Sequence, residues 1–395
     1  DLKDVERYLL AGTLKNVDGN SEVAIKKDKL KLNYEKWNID DNNVVRLDKN
    51  SVYINDFILT NGSNKLSVNS ESTAANSPIN VAFNDFDLNS ITSIVESNYE
   101  VGGKNNGTTK ISNITSTLIF VADLDIENFS VKNDTVGNLN IKIDNKTASV
   151  YNAAIKISGF ENLVMLDGNY QVGSGNFDLK LNVDKFQMKS IQAFTFGNLT
   201  KSTGFLNGKL DINGNIDQPN IDGYLKFNGV GFEVKTLSTK FKLLNDNIDF
   251  ANKKMVFSDF KLQDENDNHL TLDGHININD FSNLGLDLSL VANNFNPINS
   301  TEKDNDLFYG ALYLDNDISI KGTLNRPIIN GDIKINKDTK FSVILPQTEP
   351  SIASREGVVE FIDQDQPILY DPNKNAEKLN QSAITGIEAS VNIEV

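Results

Sequence analysis

The sequence predicts an all-β protein: an elongated, repetitive and mostly antiparallel sheet. Three observations predict it. Apolar and polar residues alternate at period two along most of the chain, near-continuous apolar strands are absent, and a hairpin pattern recurs roughly 100 residues apart.

The alternation is clearest where Phe177, Leu179, Leu181 and Val183 interleave with Asp178, Lys180 and Asn182. It recurs in Leu286, Leu288, Leu290 and Ala292, and in the shorter runs Ile79-Val81-Phe83, Ile141-Ile143, Leu225-Phe227, Ile318-Ile320 and Ile333-Ile335. Successive strand side chains point to opposite faces, so each run makes one apolar and one polar face. Asn61-Gly62, Asp167-Gly168, Asn213-Gly214, Asp222-Gly223 and Asn330-Gly331 read as turns between runs. Helical pattern is confined to Asp4–Leu10 and Ala376–Asn380.

A smaller motif sits inside the alternation: apolar, any, apolar, two mostly polar residues, then Phe. It occurs as Val52-Ile54-Phe57, Val81-Phe83-Phe86, Leu124-Ile126-Phe129, Leu181-Val183-Phe186, Met255-Phe257-Phe260 and Leu290-Ala292-Phe295. The step of three breaks strand parity and would turn Phe to water in a regular strand. Either a β-bulge returns it to the apolar side, or it packs a strand end.

Longer repeats join these units. Gly103-Lys104-Asn105-Asn106-Gly107 has a counterpart in Gly204-Phe205-Leu206-Asn207-Gly208, and the stretch from Gly214 through Pro219 to Phe227 matches that from Gly322 through Pro327 to Ile335. Pro and Gly at fixed offsets make each of the latter a hairpin. No linker divides the chain, so residues 1–395 read as one elongated segment. A sheet with one apolar face must pair, close, or curl around that face. The uninterrupted repeats favour an open, curled sheet whose lining would suit acyl chains.

Composition excludes much chemistry. The 395 residues carry 54 acidic against 38 basic side chains, a net charge of -16, which argues against a nucleic-acid partner. Without Cys there are no disulfides, thiolate metal sites or Cys nucleophiles. The two imidazoles, His269 and His275, read as solvent-facing. Asp264-Glu265-Asn266-Asp267-Asn268 starts like a calcium loop but has His269 in place of the turn Gly, and reads as a polar hairpin tip. No nucleophile elbow, phosphate loop or dinucleotide fingerprint occurs. The expectation is a non-enzyme with neither cofactor nor metal.

Residues Gly204–Gly208, the Pro219 hairpin, Asp259-Phe260-Lys261-Leu262, Asn294-Phe295, Asp306–Gly310, the Pro327 hairpin and Lys340–Pro346, in this order, resemble the TamB family of translocation and assembly module proteins. Those are relatives of AsmA-like and bridge-like lipid transfer proteins. The resemblance implies a β-taco, a long U-shaped sheet with a hydrophobic interior, in the periplasm of a double-membrane bacterium. It implies phospholipid as cargo, docking onto a BamA-like (TamA-type) outer-membrane barrel, and an inner-membrane anchor, the last two through parts outside this stretch. The groove-lining positions it marks are Phe83, Leu124, Ile126, Leu179, Leu181, Val183, Phe227, Phe257, Leu288, Leu290, Ile318 and Ile320. The alternatives from other classes are a periplasmic scaffold or chaperone, a β-sandwich adhesin, and a polysaccharide-acting enzyme. At about 12 residues per strand and turn, roughly 30 strands at about 4.8 Å would extend about 140 Å.

Overall fold

A computed structural model describes residues 6–344 and 386–395, except 93–99 and the positions 18, 50, 133, 148, 216, 244–245, 281 and 306. Its 26 strands form two sheets. Leu9–Val17, Asn20–Leu32, Glu35–Lys36, Val44–Asp48 and Ser51–Asn55 make a five-stranded sheet, and the other 21 strands make one long curved sheet. Along the long sheet, neighbours in sequence are neighbours in space. The order runs from Asn38–Ile39 and Phe57–Asn61 to Phe308–Thr323 and Arg326–Ile335. All pairings among the described strands are antiparallel except that of Glu388–Glu394 with Arg326–Ile335. No register joins Glu388–Glu394 to Asn38–Ile39, so these two strands end the ladder.

The expected alternation is present, but four of the five expected turns are not turns. Only Asn61-Gly62 reaches into a hairpin turn. Gly168, Gly214, Gly223 and Gly331 lie within the strands Asn162–Gln171, Leu199–Asn215, Pro219–Val234 and Arg326–Ile335. Gly223 shows why: its φ is +133°, and a Cβ there would run into the carbonyl oxygen of Lys209 on the next strand. The missing side chain lets the strand bend sharply while staying paired, which is how curvature is built into a sheet. Glycine serves turns and kinks through the same freedom, so the dipeptides alone misassign them.

The Phe motif is a bulge. Register shifts fall at Phe83/Phe86, Ile126/Phe129, Val183/Phe186, Phe257/Phe260 and Ala292/Phe295, while at Phe57 the chain starts a new strand. In five of the six copies the residue before Phe is left-handed: Asp56, Asp85, Asn128, Asp259 and Asn294, with φ of 46–52°. Asn and Asp tolerate that conformation best among residues with a side chain. Each of the five freed N–H groups donates to a side-chain oxygen on another strand, from Asn69, Asn106, Asn138, Asp273 and Asp315 respectively, at 2.7–3.0 Å.

Burial concentrates where the bulges fold strand ends over the apolar face. Phe86 packs with Trp37, Leu30 and Ile39, and Phe295 stacks on Phe241 at 5.7 Å. The two matching hairpins are real: Gly214 faces Pro219 and Gly322 faces Pro327 across short turns. Residues 6–8 are not helical and Leu9 begins a strand, while Ala376–Asn380 lies outside the described residues. The helices found are instead Asn89–Thr92 and Met188–Gln192, the latter followed by a 3-10 turn, Ala193–Thr195.

Candidate functional site: an apolar groove

In an antiparallel ladder, residues directly opposite one another share a face. Following those partners across the sheet gives one unbroken line. It starts at Ile39, Leu59, Leu66, Phe83, Gly107, Leu124, Ile141, Ile155 and Leu166. It continues through Leu181, Leu210, Gly223, Phe250, Met255, Ile276, Leu286, Gly322 and Pro327. Every member of this row is apolar, glycine or proline. At about 4.8 Å per strand the row follows the sheet for on the order of 80 Å, shorter than the expected 140 Å because fewer strands join the ladder.

Two parallel rows lie on one side of it, two and four residues away along the strands. One runs Ile126, Leu139, Ile157, Val164, Val183, Gly208, Leu225 and Ile248, and resumes as Phe257, Gly274, Leu288, Ile320 and Ile329. A third runs Phe186, Leu206 and Phe227, passes by an edge-on ring contact of 5.6 Å to Phe260, and continues Leu272, Leu290 and Ile318. On the far side, Leu179 sits between Gly168 and Ile212. The twelve positions named from the sequence therefore fall on one face, spread over four neighbouring rows.

None of the twelve is exposed. Ile126, Val183 and Phe257 are buried, and the other nine are half-buried. Half-burial of Leu, Ile and Phe along an entire face means that neighbours flank these side chains while no second layer seals most of them. An apolar surface of this extent is normally a binding surface. No Asp, Glu, Lys, Arg or His occupies these rows.

The charges stand on the opposite face and at the turns. Asp123 and Lys142 are cross-strand partners joined by a 3.2 Å ion pair. A hydrogen bond from Lys201 holds the Glu233 carboxyl below its ordinary range, and hydrogen bonds from the Asn336 side chain and the Asn294 backbone do so for Asp315. His269 and His275 sit on the outer face with Asp273, six residues apart on one strand. The Asp264–Asn268 stretch is indeed a hairpin tip. The Asp264 carboxylate is fully buried and accepts the backbone N–H groups of Asn266, Asn268 and Asn296 at 2.8–2.9 Å. One of its oxygens ties the tip to the strand Gly285–Ser300.

One part of the site was not read from the sequence. The segment Met188–Thr195 lies on the apolar face, with Met188 in a buried cluster with Val230 and Leu243, against which Leu206, Phe227 and Phe260 pack. A signal existed: Phe86-Asp87-Leu88-Asn89-Ser90-Ile91 and Phe186-Gln187-Met188-Lys189-Ser190-Ile191 share Phe, an apolar residue, Ser and Ile at equal spacing. Both copies open a helix after a bulged Phe.

Among the described residues, no helix is long and apolar enough to cross a membrane. Comparisons with curated proteins and with solved structures give no match. Two family models do match: the TamB N-terminal domain over residues 8–227 and the TamB C-terminal domain over residues 258–395. Together they take in the five-stranded sheet and most of the long sheet, and the chain belongs to the TamB family.

Proposed function

We propose that the chain is a non-enzymatic lipid conduit, in which phospholipid acyl chains lie along the apolar rows and head groups stay at the open side. Membership of the TamB family by itself points to a role in outer-membrane assembly or lipid transport. The observation that carries the finer reading is the eighteen-residue row from Ile39 to Pro327, apolar throughout and largely uncovered. A chain of CH₂ groups gains about 0.8 kcal/mol per methylene removed from water, and apolar rows without charged residues set no electrostatic barrier along their length. On this reading the protein works in the periplasm, between the inner membrane and a TamA-type barrel of the outer membrane. The charged outer face keeps so long a sheet soluble.

Native mass spectrometry of the chain purified in mild detergent tests the reading. Co-purified phospholipid is the expected result. Protein that is consistently empty, and stays empty after incubation with phospholipid vesicles, would sink it.

A further inference from the structure

The insert between the strands Asn176–Gln187 and Leu199–Asn215 is out of keeping with the short turns around it. It leaves the ladder at Gln187 and folds over the apolar face. Its Met188 and Ile191 join the cluster formed with Phe227 and Phe260, and its Ala193 joins one with Val131 and Val136. The insert thus touches strands on both sides of its own position in the sheet. From the sequence side, Met188 and Ile191 are what an acyl chain would present to the same wall: unbranched or aliphatic carbon with no charge.

Its hold on that wall depends on few groups. The helix has five residues, and no side chain caps its N-terminus. So short a helix has no stability of its own in water and is held by tertiary contact. The polar part of that contact comes from two side chains: Gln192 of the insert, whose Oε1 accepts from the Ser202 N–H at 3.1 Å, and the buried Asn162. Its Nδ2 donates to the Val136 carbonyl at 2.7 Å and to the Ser190 hydroxyl at 2.8 Å, and its Oδ1 accepts from the Gln187 N–H at 2.7 Å. A hollow of about 510 Å³, bordered by Asp134, Phe160, Lys189 and Ser190, adjoins the insert.

We infer that residues 188–195 are a built-in plug: Met188 and Ile191 occupy an acyl-binding stretch of the third apolar row, at Leu206, Phe227 and Phe260, and cargo displaces them when it passes. The inference rests on the conduit reading and adds a gate to it. Cargo lying along the central row, at Leu181 and Leu210, does not meet the plug, whereas cargo on the third row competes with it for one surface. Asn162 is the latch that sets how readily the plug yields.

The test places a photoreactive phenylalanine analogue at position 181 or 227 of the full chain. Each is irradiated with phosphatidylcholine vesicles containing a phospholipid with a fluorescent acyl chain. Labelling is expected to be strong at 181 and several-fold weaker at 227. Replacing the plug's apolar side chains, M188S with I191S, is expected to raise labelling at 227 towards that at 181. Equal labelling of the two positions in the unaltered chain, or an unchanged ratio in the variant, would overturn the plug. Absence of label at both positions would count against the conduit itself. Should the double variant not fold, Asn162→Leu leaves the apolar contacts and removes only the latch. It should raise the 227-to-181 ratio, and an unchanged ratio again overturns the inference.

Discussion

The backbone N–H of Asn294 donates to Oδ1 of Asp315, on the neighbouring strand, at 2.7 Å. Asn294 is left-handed and the next residue is Phe295, so this one bond marks where the strand Gly285–Ser300 bends over the groove. The same arrangement recurs at Asp259 with Asp273 and at Asn128 with Asn138. The bulge needs a residue that accepts positive φ and an acceptor for the N–H that leaves the ladder.

Removing that acceptor should cost more than removing its charge. Asp273→Leu leaves the Asp259 N–H without its partner and is expected to lose about 1–3 kcal/mol. Asp273→Asn keeps an acceptor oxygen and should lose much less. Urea unfolding of the two variants decides it, and equal losses would mean the bond does not hold the bulge.

The mid-strand glycines make a sharper claim. Gly223→Val forces a branched side chain onto a φ of +133° and into the Lys209 carbonyl, and should cost about 3 kcal/mol or more. Gly173 has open space around it, so Gly173→Ala should fall within about 0.5 kcal/mol of the parent. Thermal unfolding compares the pair directly.

Charge in the groove separates an open face from a closed core. Leu290 is half-buried in the third row, and its arginine head can snorkel out, so Leu290→Arg should stay folded and lose lipid crosslinking. Leu181→Arg should behave alike. Phe250 is 6% exposed within a packed cluster, and Phe250→Arg should not fold. Circular dichroism with crosslinking reads both outcomes; unfolding by Leu290→Arg would mean that a second layer covers the face.

Acid should weaken the fold through the bulge carboxylate. Asp315 is held below its ordinary value, first by Asn336 and then by the Asn294 N–H. A group depressed in the folded state adds stability above its unfolded value, near 3.9, and that contribution disappears as pH falls through the lower folded value. Stability should therefore be flat in this respect between pH 7 and about pH 5 and fall below about pH 4. Asp315→Asn should make the acid limb shallower in denaturation midpoints measured across that range.

Parts of this were legible in the residues themselves. The step of three before each Phe violates strand parity, and only a bulge or a strand end reconciles it with an apolar side chain. Which residues of a run share a face was legible because alternation assigns a face without knowing the partner strand. The glycine dipeptides misled because positive φ serves turns and kinks alike, and the neighbouring carbonyl that distinguishes them is far away in sequence. The insert at 188–195 was missed because five residues without a cap carry no helical period.

The sequence by itself therefore determined the fold class, the one-sided apolar face and the Phe positions where strand parity breaks, all consequences of local backbone geometry with a period of two. Only the tertiary structure decided the register that aligns Leu181 with Leu166 and Leu210 into a continuous row. It alone placed the kink at Gly223 and seated Met188 on the wall below. Those depend on which strands meet, and that choice is made by packing between residues distant in the chain.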